Sequence, residues 1–217
     1  MNILELHAGS RSIGKVAEKL GFKVFSVDWT PYENIDLVID IEKLTPEHVP
    51  FIPDVIWTSP DCTTYSIAAI SHHRNGTLPV SDYAKKCDAV NFHQIELINY
   101  YLNLNPNLKF FIENPRGMMR KMPFVKGIDR ATIWYCRYGD DRAKPTDIFT
   151  NHLYSVFNPN GWLPKHECFN GNIHCHHQRA PRGSKTGTQG RSGSYERSVI
   201  PSALVYEILN SCKDATL

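Results

Sequence analysis

The residues best equipped for chemistry fall in two short stretches. "WTSPDCTTYS", Trp57 to Ser66, sets one thiol, Cys62, in a turn of Ser, Pro, Asp and Thr just past an apolar run. "LKFFIENP", residues 108–115, ends a second apolar run on Glu113-Asn114-Pro115. A thiolate and a carboxyl group brought together form an addition pair. The sulfur attacks an electron-poor ring carbon, and the acid protonates a ring nitrogen so that charge does not accumulate. Each residue also has a structural alternative: Cys62 as a small filler at the end of a buried strand, and Glu113 as a carboxylate paired with Arg116.

A second group suits a nucleotide. The small residues at 8–10 of "HAGSRSIG" let the backbone pass close to a ligand, and the helix that follows presents free N–H groups at its start. Asp28 ends the next apolar run, where a carboxylate accepts hydrogen bonds from a ribose diol. Trp29 beside it can stack on a purine, and Asp40 ends a third run, where an exocyclic amine can be read. Singly, each acid is as readily a turn residue. In this order they point to an adenosine-containing cofactor.

The elements that must hold these residues read as strand 2–6, helix 14–21, strands 22–29, 37–41 and 54–59, helix 81–104 and strand 108–114. In helix 81–104, Ser81 or Asp82 caps the start, and Ala89, Phe92, Ile95 and Ile98 form the expected apolar face. This order predicts an α/β domain with a mostly parallel sheet, ligands lying at the carboxyl ends of the strands. Asp28, Asp40, Cys62 and Glu113 then share one edge. Segments 131–139 and 146–151 read as antiparallel strands, 177–194 as loop, and 200–212 as an amphipathic helix with a proline near its first turn.

The 217 residues suit one domain, with no internal repeat, no long apolar run and no export-type start. Six scattered cysteines suit a reducing cytoplasm better than a disulfide framework. The net charge of +2 is unevenly spread: residues 165–197 hold six Lys/Arg against two Glu. A basic, Gly/Ser-rich segment of this kind is a phosphate-binding loop or a solvated linker. "HECFNGNIHCHHQ" contains Cys168, His174, Cys175, His176 and His177, enough ligands for a zinc ion, but two cysteines without paired CxxC spacing fall short of a strong metal pattern. The expectation there is a polar loop near nucleic acid with no metal, a structural metal being the alternative.

Five stretches resemble, in order, the segments of the cytosine-5 DNA methyltransferases. "LELHAGSRSIGKVAEKLGFKVFSVDW" resembles their opening, where a phenylalanine-alanine-glycine turn holds S-adenosylmethionine. "SPDCTTYS" resembles their Pro-Pro-Cys-Gln loop, and "FFIENPRG" their Glu-Asn-Val motif. "YGDDRAKPTDIF" is similar to a Tyr-Gly, Gln-x-Arg-x-Arg segment, with Arg142 at the glutamine and Lys144 at the first arginine. "RSVIPSALVYEIL" is similar to the closing segment that returns beside the cofactor.

The resemblance implies a Rossmann-like S-adenosylmethionine-dependent methyltransferase fold with a small irregular basic appendage, of the small, phage-like kind, in a bacterial or phage-infected cell. It implies a catalytic domain of residues 1–151 and 197–217, and a reduced target-recognition segment at 152–196. Cys62, Glu113, Asn114 and Lys144 would be catalytic. Leu6, Ala8, Gly9, Asp28, Trp29, Asp40, Ile41 and Pro60 would hold the cofactor. Ser66, Arg74, Arg179, Arg182, Lys185 and Arg191 would contact DNA, with Arg74 in a mobile flap at 67–82. Asp61 departs from the family's proline and should raise the thiol's pKa unless its side chain turns away. Thr63 stands where the family has glutamine, and Lys144 offers a point charge in place of a planar fork. Two alternatives fit the same residues: a transferase of this fold acting on another pyrimidine or nucleotide, and a DNA-binding protein with decayed catalysis.

Overall fold

The computed structural model describes residues 1–178 and 193–213. Its strands are β1 (Asn2–Leu6), β2 (Lys23–Asp28), β3 (Leu37–Val38), β4 (Val55–Thr58), β5 (Arg74–Asn75), β6 (Leu78–Pro79), β7 (Lys109–Pro115), β8 (Arg130–Trp134) and β9 (Pro145–Thr150). Its helices are α1 (Ser12–Lys19), α2 (Ile70–His73), α3 (Asp82–Leu104), α4 (Ser194–Ser198) and α5 (Ser202–Ser211). Among the described residues, seven strands form one sheet in the order β3-β2-β1-β4-β7-β9-β8. The first five run parallel, and β9 and β8 close the edge antiparallel.

The parallel strands are short apolar runs because helices cover both faces. Ile3, Val55, Trp57, Phe111 and Ile148 pack with Ile13, Val16 and Ala17 of α1 and Leu204, Val205 and Ile208 of α5. The alternate residues Leu4, Leu6, Ile56, Phe110 and Ile112 pack with Val90, Leu97, Ile98 and Tyr101 of α3. The period of two thus splits each strand between two cores. Register aligns Leu6 with both Val27 and Thr58, and Thr58 with Ile112, so β1, β2 and β4 end near one level while β7 runs past it through Glu113 and Asn114 to Pro115. Chain order reverses between β1 and β4, the place where such sheets open a crevice for ligands.

Several expectations change. The 37–41 strand keeps two residues before Asp40 caps a 3-10 turn, and the 131–139 strand ends at Trp134 in another 3-10 turn, Tyr135–Tyr138. The buried face of α3 is also different. Ala89 and Phe92 are exposed, and the inward stripe runs through Ala84, Cys87, Asp88, Asn91, Gln94 and Ile98. Polar members of that stripe are paired: Asp88 with Tyr65 and Arg74, Asn91 with Tyr65, and Gln94 with Thr58. Ile98 is buried and Ile95 packs against the core as expected; a polar group with its hydrogen bonds made is at no disadvantage inside, so apolar spacing alone placed the centre of the face wrongly. Ser81 caps α3 by accepting a hydrogen bond from the Ala84 amide at 3.1 Å. No described helix is long and apolar enough to cross a membrane.

Candidate active site

The loops leaving β1, β2, β4 and β7 surround a cavity of about 470 Å³. Its wall includes Leu6, Ala8, Gly9, Asp28 and Trp29 at one end and Pro60, Cys62, Ser66, Glu113 and Lys144 at the other. The expected cofactor end and the expected chemical end therefore form one space. Asp40 and Ile41 line a smaller cavity of about 200 Å³, which shares His7, Trp29 and Pro60 with the larger one.

At the cofactor end, the turn after β1 places His7, Gly9 and Arg11 in the left-handed region, with φ of 53°, 47° and 52°. Asp28 is buried and fixes this turn: its oxygens accept from the Gly9 amide at 2.9 Å and the Thr30 amide at 2.8 Å. Each oxygen keeps a second lone pair. Trp29 is 71 % exposed, leaving its ring face open. The hydrogen bond from Lys86 to Asp40, at 2.6 Å, holds that carboxyl below the usual range. His7 was not singled out from sequence. It lines both cavities, burial lowers its pKa, and its Nε2 has no hydrogen-bond partner among the described residues. The signal was its place in the quoted turn, where the resembling family has phenylalanine.

Glu5 is the second omission. Buried beneath the turn, it accepts from the Ile13 and Gly14 amides and the Ser26 hydroxyl, satisfying the first turn of α1. Burial pushes its pKa up to about 7 against those hydrogen bonds.

At the chemical end, Asn114 donates to the Pro60 carbonyl at 3.0 Å and so ties the cysteine loop to β7. Asp61 does turn aside: it accepts from the Thr63 amide and from the Tyr83 hydroxyl. The Cys62 thiol is nonetheless pushed up to about 11. Burial is the main cause, Lys144 opposes it, and Asp61 and Glu113 add to it. Glu113 does not pair with its expected structural partner: Arg116 lies over the Trp134 ring, while the Tyr135 hydroxyl donates to Glu113 Oε1 at 2.9 Å and Lys144 Nζ lies 3.8 Å away. Lys144 also donates to the Arg197 carbonyl, and its φ of 24° is strained for a residue with a side chain.

The closing segment returns as expected. Arg142 is fully buried and donates to the carbonyls of Arg197 and Val199, and the Ile200 amide donates to Ser12 Oγ. Tyr195, Arg197, Ser198 and Ile200 consequently line the cavity opposite Gly9.

Arg74 does not serve a phosphate. It is buried, donates to Asp88 and to the Thr64 carbonyl, and stacks on Tyr65. Segment 67–82, read as a flap, contains α2 and the β5–β6 hairpin, both anchored by this arginine. Arg179, Arg182, Lys185 and Arg191 lie outside the described residues.

No family model and no curated protein matches the sequence. Solved structures do match. The Entamoeba histolytica methyltransferase EhMeth superposes with a TM-score of 0.54 at 13 % identity, over 77 % of this chain and 57 % of that one. A putative DNA modification methyltransferase encoded within a prophage of E. coli superposes with a TM-score of 0.50 at 16 % identity, over 77 % and 52 %. The fold is the Rossmann-like fold of methyltransferases, and the chain spans little more than half the length of these neighbours.

Proposed function

We propose that the chain is an S-adenosylmethionine-dependent DNA (cytosine-5-)-methyltransferase. The observation that carries this reading is that Cys62, Glu113 and Lys144 line the same cavity as Gly9, Asp28 and Trp29. The residues present suit the cofactor. Asp28 has lone pairs to spare for ribose hydroxyls, Trp29 offers an open ring face, Pro60 is shared with the cavity of Asp40 and Ile41, and His7 carries an unpartnered nitrogen. S-adenosylmethionine, when bound, supplies an electrophilic methyl group to carbon 5.

A cytosine turned out of its stack presents its ring to the chemical end. Cys62 gives up its thiol proton to solvent, its sulfur forms a bond to carbon 6, the ring's π electrons move toward carbon 5 and nitrogen 3, and the Glu113 carboxyl group stabilises nitrogen 3. Lys144 offsets negative charge beside both groups. Once carbon 5 carries its methyl group, loss of its proton to a base re-forms the double bond and expels the thiolate. Asn114 positions the cysteine loop, and Ser66 accepts from the Ala68 amide where the chain leaves it.

DNA containing 5-fluorocytosine should trap the wild-type protein covalently in the presence of S-adenosylmethionine, since fluorine does not leave as the proton does. Cys62→Ser should abolish the adduct while retaining affinity for S-adenosylhomocysteine, and Asp28→Ala should weaken that affinity by at least about 1 kcal/mol. A Cys62→Ser protein that methylates at the wild-type rate would overturn the mechanism. Base-resolution methylation sequencing after expression in a methylation-free host reads the target.

A further inference from the structure

Beyond this site, the structure gathers Cys136, Cys168, Cys175 and His177 so that one ligand atom from each lies within 4.8 Å of all the others. Cys136, Cys168 and His177 are buried, and Trp134 and Ala143 pack around the sulfurs. A tetrahedral zinc with sulfur about 2.3 Å from the metal needs ligand atoms about 3.8 Å apart. Cys168 Sγ and His177 Nδ1 stand 3.8 Å apart. We propose that these four residues bind one structural zinc ion.

Three observations converge. The donor set of three thiols and one imidazole selects zinc and fills all four positions, which marks a structural rather than a catalytic site. The Asn172 side-chain amide also donates to Cys168 Sγ at 3.5 Å, the outer hydrogen bond that steadies a metal-bound thiolate. Finally, residues 163–177 contain no helix or strand, yet bury two of the four ligands. A loop of that length without regular structure needs a fastening to stay packed. A single disulfide would join two sulfurs and leave the third thiol and the imidazole unexplained.

The sequence reading missed the site because its fourth ligand comes from elsewhere. Cys136 sits in the turn after β8, far from "HECFNGNIHCHHQ" and next to Tyr135, whose hydroxyl holds Glu113. Of the five residues named there, His174 and His176 are not ligands; His176 bonds the Asp140 carbonyl instead. The ion would fasten residues 168–177 to that turn. Backbone contacts from Gln178 to Asp141 continue the attachment, so the basic segment starts from a fixed root.

Elemental analysis of the full chain, purified reduced and without chelator, should find about one zinc per chain. Cys136→Ser and His177→Ala should each lower that content at least tenfold, and His174→Ala and His176→Ala should not. Should a ligand variant fail to fold, wild-type protein decides. Anaerobic Co²⁺ titration after zinc removal should give thiolate-to-cobalt charge transfer and tetrahedral d–d absorption, saturating at one equivalent. Reduced wild-type protein with no zinc and no such absorption overturns the site. So does a metal signal that folded Cys136→Ser leaves unchanged. Both readouts are independent of methyl transfer and of DNA.

Discussion

Cys62 is held as a thiol, and that sets how it would react. With its pKa at about 11, the free protein carries little thiolate near neutral pH. The rate of Cys62 alkylation by iodoacetamide, followed by mass spectrometry of its peptide, should rise about tenfold per pH unit from pH 8 and level off near 11. Asp61→Asn should move the midpoint down and Lys144→Met should move it up, because these two charges act on the thiol with opposite sign. A midpoint near 8.5 in the wild type would mean that the surroundings do not restrain the sulfur. Arg74 gives a residue-scale test of a different kind. Its guanidinium is fully buried against Asp88, so Arg74→Ala strands a carboxylate and should cost about 3–5 kcal/mol in denaturant unfolding. Truncating Lys85, whose pair with Asp82 is exposed, should leave the midpoint where it was.

Between elements, one contact sensitive to a single methyl group joins β7's exit to the cysteine loop. A Cβ on Gly117 would stand 2.4 Å from the Tyr65 carbonyl oxygen, a backbone atom that moves only if its turn moves with it. Gly117→Ala should therefore push the Thr63–Tyr65 turn away. The expected result is a loss of about 1–3 kcal/mol in stability and an altered Cys62 alkylation rate, where a purely local effect would lower stability alone. The same element scale shows what was legible in the sequence. The parallel strands, α1, α3 and α5 announced themselves through apolar runs and caps, and the strand ends put Asp28, Cys62 and Glu113 on one edge. What stayed hidden depended on partners distant in sequence. The inward face of α3 carries Asp88, Asn91 and Gln94 among its apolar residues because Tyr65, Arg74 and Thr58 reach them, Arg74 looked like a surface cation until Asp88 was seen beside it, and Cys136 joins the other ligands only through the fold.

For the whole molecule, binding of DNA rests in this reading on the basic residues at 179, 182, 185 and 191. Replacing Arg179, Arg182, Lys185 and Arg191 together should flatten the log–log salt dependence of duplex affinity by up to about 0.9 per lost phosphate contact. An unchanged slope would make the segment a linker. The return of residues 197–200 to the cavity has a consequence in time. Synthesis proceeds from the amino terminus, so β1, α1 and β2 leave the ribosome long before Ile200 can meet Ser12 or Leu204 can cover α1. Until then the nascent chain has half a cavity wall and an apolar helix stripe facing water. Under the proposed function, tight capture of a cofactor becomes a late event in the life of the chain, and a ribosome stalled before residue 197 would display a sheet whose pocket cannot close.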